Sequence, residues 1–244
     1  MEAEKELRTA IALDPGYAEA HWNLGLALQK QKRYAEGLVE YREGHRLGKN
    51  KPDWPIRSDF WVRHYEHQER MARLLPRVES GEAQPANPAE RAELGFFCLE
   101  QEKRTLAAVR FYEQALAEQP GLAAAVNLHR YNAACAAALA GCGQGQDAGQ
   151  LNSEQRARLR EQALTWMRSE RDATRASVAK RPYKRTDVEQ FLQHWQQDPD
   201  LAGVRDTAGL DELNEKESQQ WHTFWKEVRD LQRQAKANAS ASPP

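Results

Sequence analysis

Small and apolar residues recur along the first fifty positions at helical spacing. Ala3, Leu7, Ala10 and Pro15 are matched 34 residues later by Gly37, Tyr41, Gly44 and Lys49, a column that reads small, aliphatic or aromatic, small, and helix end. Between the copies stand His21-Trp22-Asn23-Leu24-Gly25, then Leu28 and Tyr34, which supply the other helix of the unit. Two antiparallel helices explain this pattern: Gly25, Gly37 and Gly44 let the backbones approach, and Leu24, Leu28 and Tyr41 fill the space between them. A second copy carries Leu94-Gly95, then Ala108, Tyr112 and Ala115, and ends at Pro120; its first helix is one position out of frame. A third runs from Tyr131-Asn132-Ala133-Ala134 to Ala163, Leu164, Trp166 and Met167, with Gly141 to Leu151 as an enlarged, flexible turn. No stretch alternates with the period of a half-buried strand, so the chain is expected to be all-α.

Capping signals set further boundaries. Asn87-Pro88-Ala89-Glu90 combines an N-cap, a proline at the first helical position and a glutamate at the third; Asn152 to Gln155, Thr186 to Glu189 and Asn214 to Glu217 repeat the box. Gly48 to Arg57, with Pro52 and Pro55, reads as a loop before a helix whose apolar face runs Phe60, Met71, Leu74 and Val78. Two aromatic helices follow near the end, one with Phe191, Leu192 and Trp195, the other with Trp221, Phe224, Trp225, Val228 and Leu231. The expected organisation is 1–49 as repeat helices, 50–86 as an inserted loop and helix, 87–180 as degenerate repeats, 181–234 as a helical cap and 235–244 as a disordered tail.

The 34-residue period and its small-aromatic-small column resemble the tetratricopeptide repeat, a helix-turn-helix unit. The resemblance implies an α-solenoid whose first helices line a concave groove that takes an extended peptide or a partner helix. Several longer stretches widen it: Gly44 to Gly48, Arg130 to Gly143, Ala163 to Met167 and Leu192 to Asp206 are similar to the C-terminal tetratricopeptide region of planctomycete serine/threonine protein kinases. That family implies an interaction or regulatory module attached to an upstream kinase domain. No Gly-rich phosphate loop, catalytic-loop His-Arg-Asp or Asp-Phe-Gly occurs in the chain, so no catalytic residue is carried over. Met1 falls inside what would be the second helix of a repeat, which leaves Leu7 and Ile11 without a covering helix and suggests a piece of a longer polypeptide.

Composition narrows the classes. The 35 Lys and Arg balance 36 Asp and Glu, giving a net charge of −1 that provides no field for nucleic acid or anionic lipid. The longest apolar stretch, Asn132 to Cys142, falls far short of the roughly 20 residues of a bilayer span, and the acidic start lacks the features of a secretory leader. A cytoplasmic protein without membrane or nucleic-acid partners is expected. Arg168 to Arg185 holds seven basic and two acidic residues, whereas Thr186 to Leu231 holds 11 acidic and four basic, so these blocks should attract each other.

From the repeat register, Glu19, Trp22, Asn23, Leu26, Gln29 and Lys30 are the candidate groove residues, with Leu128 and Tyr131 at corresponding places in a later repeat. An aromatic anchor among amide and ammonium donors suits peptide capture. His64 and His67 share a helical stripe but lack the further ligands zinc needs, and Cys98, Cys135 and Cys142 lack zinc-knuckle spacing or an activating histidine. Neither a metal nor a cofactor is expected. The reading is a non-catalytic protein-interaction scaffold; the alternative is the regulatory region of a kinase whose catalytic domain lies outside this chain.

Overall fold

The computed structural model describes residues 2–54, 57–124, 128–180 and 185–240, with the side chains of 124, 177–180, 185–187 and 238–240 left aside. The expected box beginning at Thr186, and Tyr183 with most of the Lys180 to Arg185 basic stretch, lie outside the described residues or side chains. The fold is an all-α, TPR-like helical array, with no strand among the described residues. It divides into two compact units, Met1–Pro85 and Ala86–Pro244.

The first unit holds α1 (Glu2–Leu13), α2 (Ala18–Lys30), α3 (Tyr34–Gly48) and α4 (Ser58–Glu79). Helices α2 and α3 form its central hairpin. A Cβ at Gly25 would stand 2.9 Å from the Tyr41 ring, and one at Gly44 would stand 3.0 Å from the Ala18 carbonyl, so glycine is what permits this closeness. Tyr41, Leu24 and Leu28 are buried in the space between, each burial favouring the fold by about 1.5–3 kcal/mol. The turn at 31–33 puts Lys32 in the left-handed region (φ 61°) and closes with Arg33 N donating to the Leu28 carbonyl at 3.0 Å.

Helix α4, from the segment expected to be an insertion, packs on α3 and belongs to the first unit. Its buried side is Ser58, Gln68, Met71 and Leu75. Phe60, expected on the apolar face, is half exposed, because the side turned to α3 is set by Tyr65 stacking on Tyr41 with ring centroids 3.7 Å apart. Helix α1 packs on α2 through one side only and buries no residue fully; Leu7 and Ile11 are half-buried.

The second unit comprises α5 (Pro88–Glu100), α6 (Thr105–Glu118), α7 (His129–Gly141), α8 (Ser153–Lys180), α9 (Arg185–Gln197), α10 (Thr207–Asp211) and α11 (Glu215–Ser240), with 3-10 turns at Pro120–Ala124 and Pro199–Val204. Its centre is α7. The run Ala133–Ala138 is buried, and its small side chains let α6, α8 and the 199–204 turn all close on one helix. At Asn87 the cap forms, Glu90 N donating to Asn87 Oδ1 at 2.9 Å while the Glu90 carboxylate accepts from Ala86 N, and the Asn152 box is reciprocal with Gln155. At Asn214 only the first half forms, because the Glu217 carboxylate is occupied by Arg160.

The Gly141 to Leu151 turn, expected to be a flexible connection, is tied to α6. Asp147 accepts from Leu106 N and Ala107 N at 3.0 and 2.9 Å, which caps α6, and Thr105 Oγ1 donates to the Gln144 carbonyl at 2.7 Å. Trp195 of α9 and Trp221, Phe224 and Trp225 of α11 are buried; the guanidinium of Arg171 on α8 lies over the Phe224 ring, and Trp225 Nε1 donates to the Val204 carbonyl at 2.8 Å. The opposite charge blocks meet at Arg171 and Glu227. Helix α11 runs on to Ser240 with Ala235 buried, past the residue where a tail was expected to begin, because α9 gives it a continuous surface; residues 241–244 lie outside the description.

Candidate functional site

The register that places Gly25 against Tyr41 fixes which side of α2 remains open. Asn23, Leu26 and Lys30 are exposed, Leu26 at 40%, and Glu19 is partly exposed beside Lys51 Nζ at 3.9 Å. These residues form one row along the helix.

Trp22 belongs to the core rather than to the open row. Its ring meets Tyr41 edge-on at 4.9 Å, Trp54 at 6.0 Å and Tyr65 at 6.4 Å, and it is 8% exposed. The physical reason lies in the Pro-rich loop. Trp54 is seated on Gly48, where a Cβ would come within 2.5 Å of its ring, and its Nε1 donates to Ser58 Oγ at 2.9 Å, so the loop closes over Trp22. Gln29 is half-buried, and its amide has no hydrogen-bond partner.

The apolar surface beside this cluster comes from α4. Trp61 stacks on Tyr65 with centroids 6.0 Å apart, and Phe60 meets Trp61 edge-on at 5.4 Å. Phe60 and Trp61 remain 50% and 41% exposed, so an aromatic chain runs from the Tyr41 core to the surface. His64 sits within it: Gln68 Nε2 lies 3.0 Å from His64 Nε2, and burial, with the charge of His67, holds the imidazole below its ordinary range. Among the described residues no group of three or more His, Cys, Asp or Glu is gathered as a metal site.

In the second unit Tyr131 is likewise a core residue. Its hydroxyl donates to Asp198 Oδ2 at 2.6 Å and its ring stacks on Trp195 at 5.7 Å. Asp198 also lies 3.2 Å from His194 Nε2 and caps the 199–204 turn, so the network fixes α9 to α7. Burial raises the Cys135 thiol beneath it well above the ordinary range, which leaves an inert sulfur. Leu128, 37% exposed, precedes α7 in a left-handed conformation (φ 56°).

One surface residue is missing from the sequence-based set. Phe96 follows Gly95 as Leu26 follows Gly25, and it is 44% exposed. A Cβ at Gly95 would stand 3.2 Å from the Tyr112 ring, so the two hairpins share one register despite the extra residue between their halves. Aligning the glycines finds Phe96; a strict 34-residue period does not.

A family model described as TPR repeat matches residues 2–32. The match spans α1 and α2 and includes the turn between them, where Asp14 Oδ1 accepts from Gly16 N at 2.9 Å. No curated protein matches the chain. TPR repeats generally mediate protein–protein interaction, and the match falls on the helix that carries the Asn23, Leu26 and Lys30 row. Among the described residues no helix is long and apolar enough to cross a membrane.

Proposed function

We propose that the chain is a non-catalytic interaction module that captures polypeptide segments on the open faces of its α2–α3 and α5–α6 hairpins. The observation that carries this reading is a large apolar side chain held in water at the same register of both hairpins, Leu26 in one and Phe96 in the other. An exposed anchor flanked by polar groups supplies affinity from the apolar contact and partner choice from its neighbours. On α2 those neighbours are Asn23 and Lys30. Lys30 suits an acidic or C-terminal carboxylate group on the captured segment.

Selection of peptides from a displayed library against the full chain tests the reading. Selected peptides should lose at least about tenfold in affinity on Leu26→Glu or Phe96→Glu, while Val39→Glu, on an exposed position of α3, leaves affinity unchanged. A library that yields no binder, or binders indifferent to both variants, would contradict it. Attachment to a serine/threonine kinase domain, implied by the Arg130 to Gly143 and Leu192 to Asp206 stretches, would make such capture an input to that kinase; this chain alone should transfer no phosphate.

A further inference from the structure

Inside the second unit, a cavity of about 540 Å³ opens where the Gly141 to Leu151 turn meets the start of α8 and the segment that carries α10. Its walls include Gly141, Gly203 and Gly209, with Leu151 and Leu213 as apolar surface. The glycines let the wall segments pack closely: a Cβ at Gly203 would stand 2.6 Å from Cys142 Sγ, and one at Gly209 would stand 2.4 Å from the Gly203 carbonyl.

Two guanidinium groups line this space. Arg160 is spent, since it pairs with Glu217 at 2.7 Å and its Nη1 donates to the Gly141 carbonyl at 2.6 Å. Arg156 is not. Its Nε is buried without a hydrogen-bond partner, and its guanidinium lies against Gly143, where a Cβ would come within 2.8 Å. Burial raises the Cys142 thiol on the same wall, and the charges of Arg160 and Arg156 partly oppose that shift. Glu212 also lines the wall but forms no ion pair with Arg156. Arg156 is partly exposed and pairs with no carboxylate among the described residues, and the planar fork of its terminal nitrogens is suited to two oxygens of one ligand group.

We propose that this cavity binds a small organic oxyanion, a phosphate monoester or a carboxylate, with Arg156 as the residue that grips the anionic group and Leu151 and Leu213 holding its apolar part. The site is independent of the polypeptide-binding faces, because none of its lining residues belongs to α2, α4 or α5.

The test follows the Arg156 Nε–Hε NMR signal of the full chain during titration with inorganic phosphate and, separately, with succinate. A saturable shift with either probe is expected, and which probe binds more tightly distinguishes the phosphate source from the carboxylate source. Arg156→Gln should weaken binding at least about tenfold, whereas Arg158→Gln, at an exposed position of α8, should not change it. Glu212→Gln should tighten binding by removing a like charge from the wall. No shift of the wild-type signal with either probe would overturn the proposal, and so would an equal loss in the Arg158 variant. Because the wild-type signal alone decides the first outcome, a poorly folding Arg156 variant leaves the test intact.

Discussion

The α2–α3 and α5–α6 hairpins use the same contact and complete it by opposite means. In both, a glycine of the first helix lies against a buried tyrosine of the second, Gly25 on Tyr41 and Gly95 on Tyr112. The second hairpin has one more residue between its halves, and the turn absorbs it: Gln31 to Arg33 in one, Gln101 to Arg104 in the other. Lys32 and Lys103 both adopt the left-handed conformation (φ 61° and 53°), and the following arginine amide reaches back to the Leu28 or Cys98 carbonyl. Helix packing therefore fixes the register, and the turn adjusts to it.

The next layer differs. Where α2 has Trp22, α5 has Ala92, both buried. The tryptophan is completed by Trp54 and Tyr65, an aromatic filling, whereas α5 also packs on α7. Charge differs as well: Asn23 and Lys30 flank Leu26, but Glu93 and Glu100 stand at those positions around Phe96. An amide and an ammonium group thus flank the anchor on one hairpin and two carboxylates on the other, which should give the two faces different partners.

The largest expected effects come from removing the shared tyrosines. Tyr41→Ala and Tyr112→Ala should each destabilise their own unit by about 3–5 kcal/mol in denaturant unfolding, because each leaves an aromatic-sized void. If either variant unfolds like wild type, the hairpins do not depend on that contact.

Glycine substitutions separate the hairpins more finely. A Cβ at Gly25 meets ring atoms at 2.9 Å and the Gly37 carbonyl at 3.0 Å, whereas at Gly95 the nearest ring atoms stand at 3.2 Å. Gly25→Ala should cost about 1–2 kcal/mol after the helix-propensity gain, and Gly95→Ala should stay within about 1 kcal/mol of wild type. The reverse order in thermal or denaturant melts would show that the closeness of the glycine to the tyrosine ring does not set the cost.

The smallest effect concerns α1. Hydrogen bonds from Gln31, Arg8 and Arg33 hold the Glu4 carboxyl at about 2, below its ordinary value of 4.5. A depressed folded-state value means the contribution is complete above pH 4.5 and is lost as pH falls from there through about 2. The protection of α1 amides relative to their intrinsic exchange rates should fall over that window, and it should be lower at neutral pH in Glu4→Gln than in wild type.

Much of this comparison was legible in the sequence. Gly25, Gly37 and Tyr41 show the hairpin because packing demands those sizes at helical spacing, and Asn87-Pro88-Ala89-Glu90 shows the start of α5 because the cap is local. What escaped depends on partners distant in the chain. Trp22 reads as a groove anchor until Trp54 is seen covering it, and Tyr131 does so until Trp195 and Asp198 close on it. Phe96 escaped because the turn before Thr105 shifts the period by one. Arg156 carries no motif at all; its interest arises only from a buried Nε beside a glycine wall.

The most direct test of polypeptide capture places a photo-crosslinking amino acid at position 26, 96 or 39 of the full chain, with a library-selected peptide bound. The account predicts adducts from position 26 or 96 and none from 39. Adducts from position 39, with none from the other two, would contradict it.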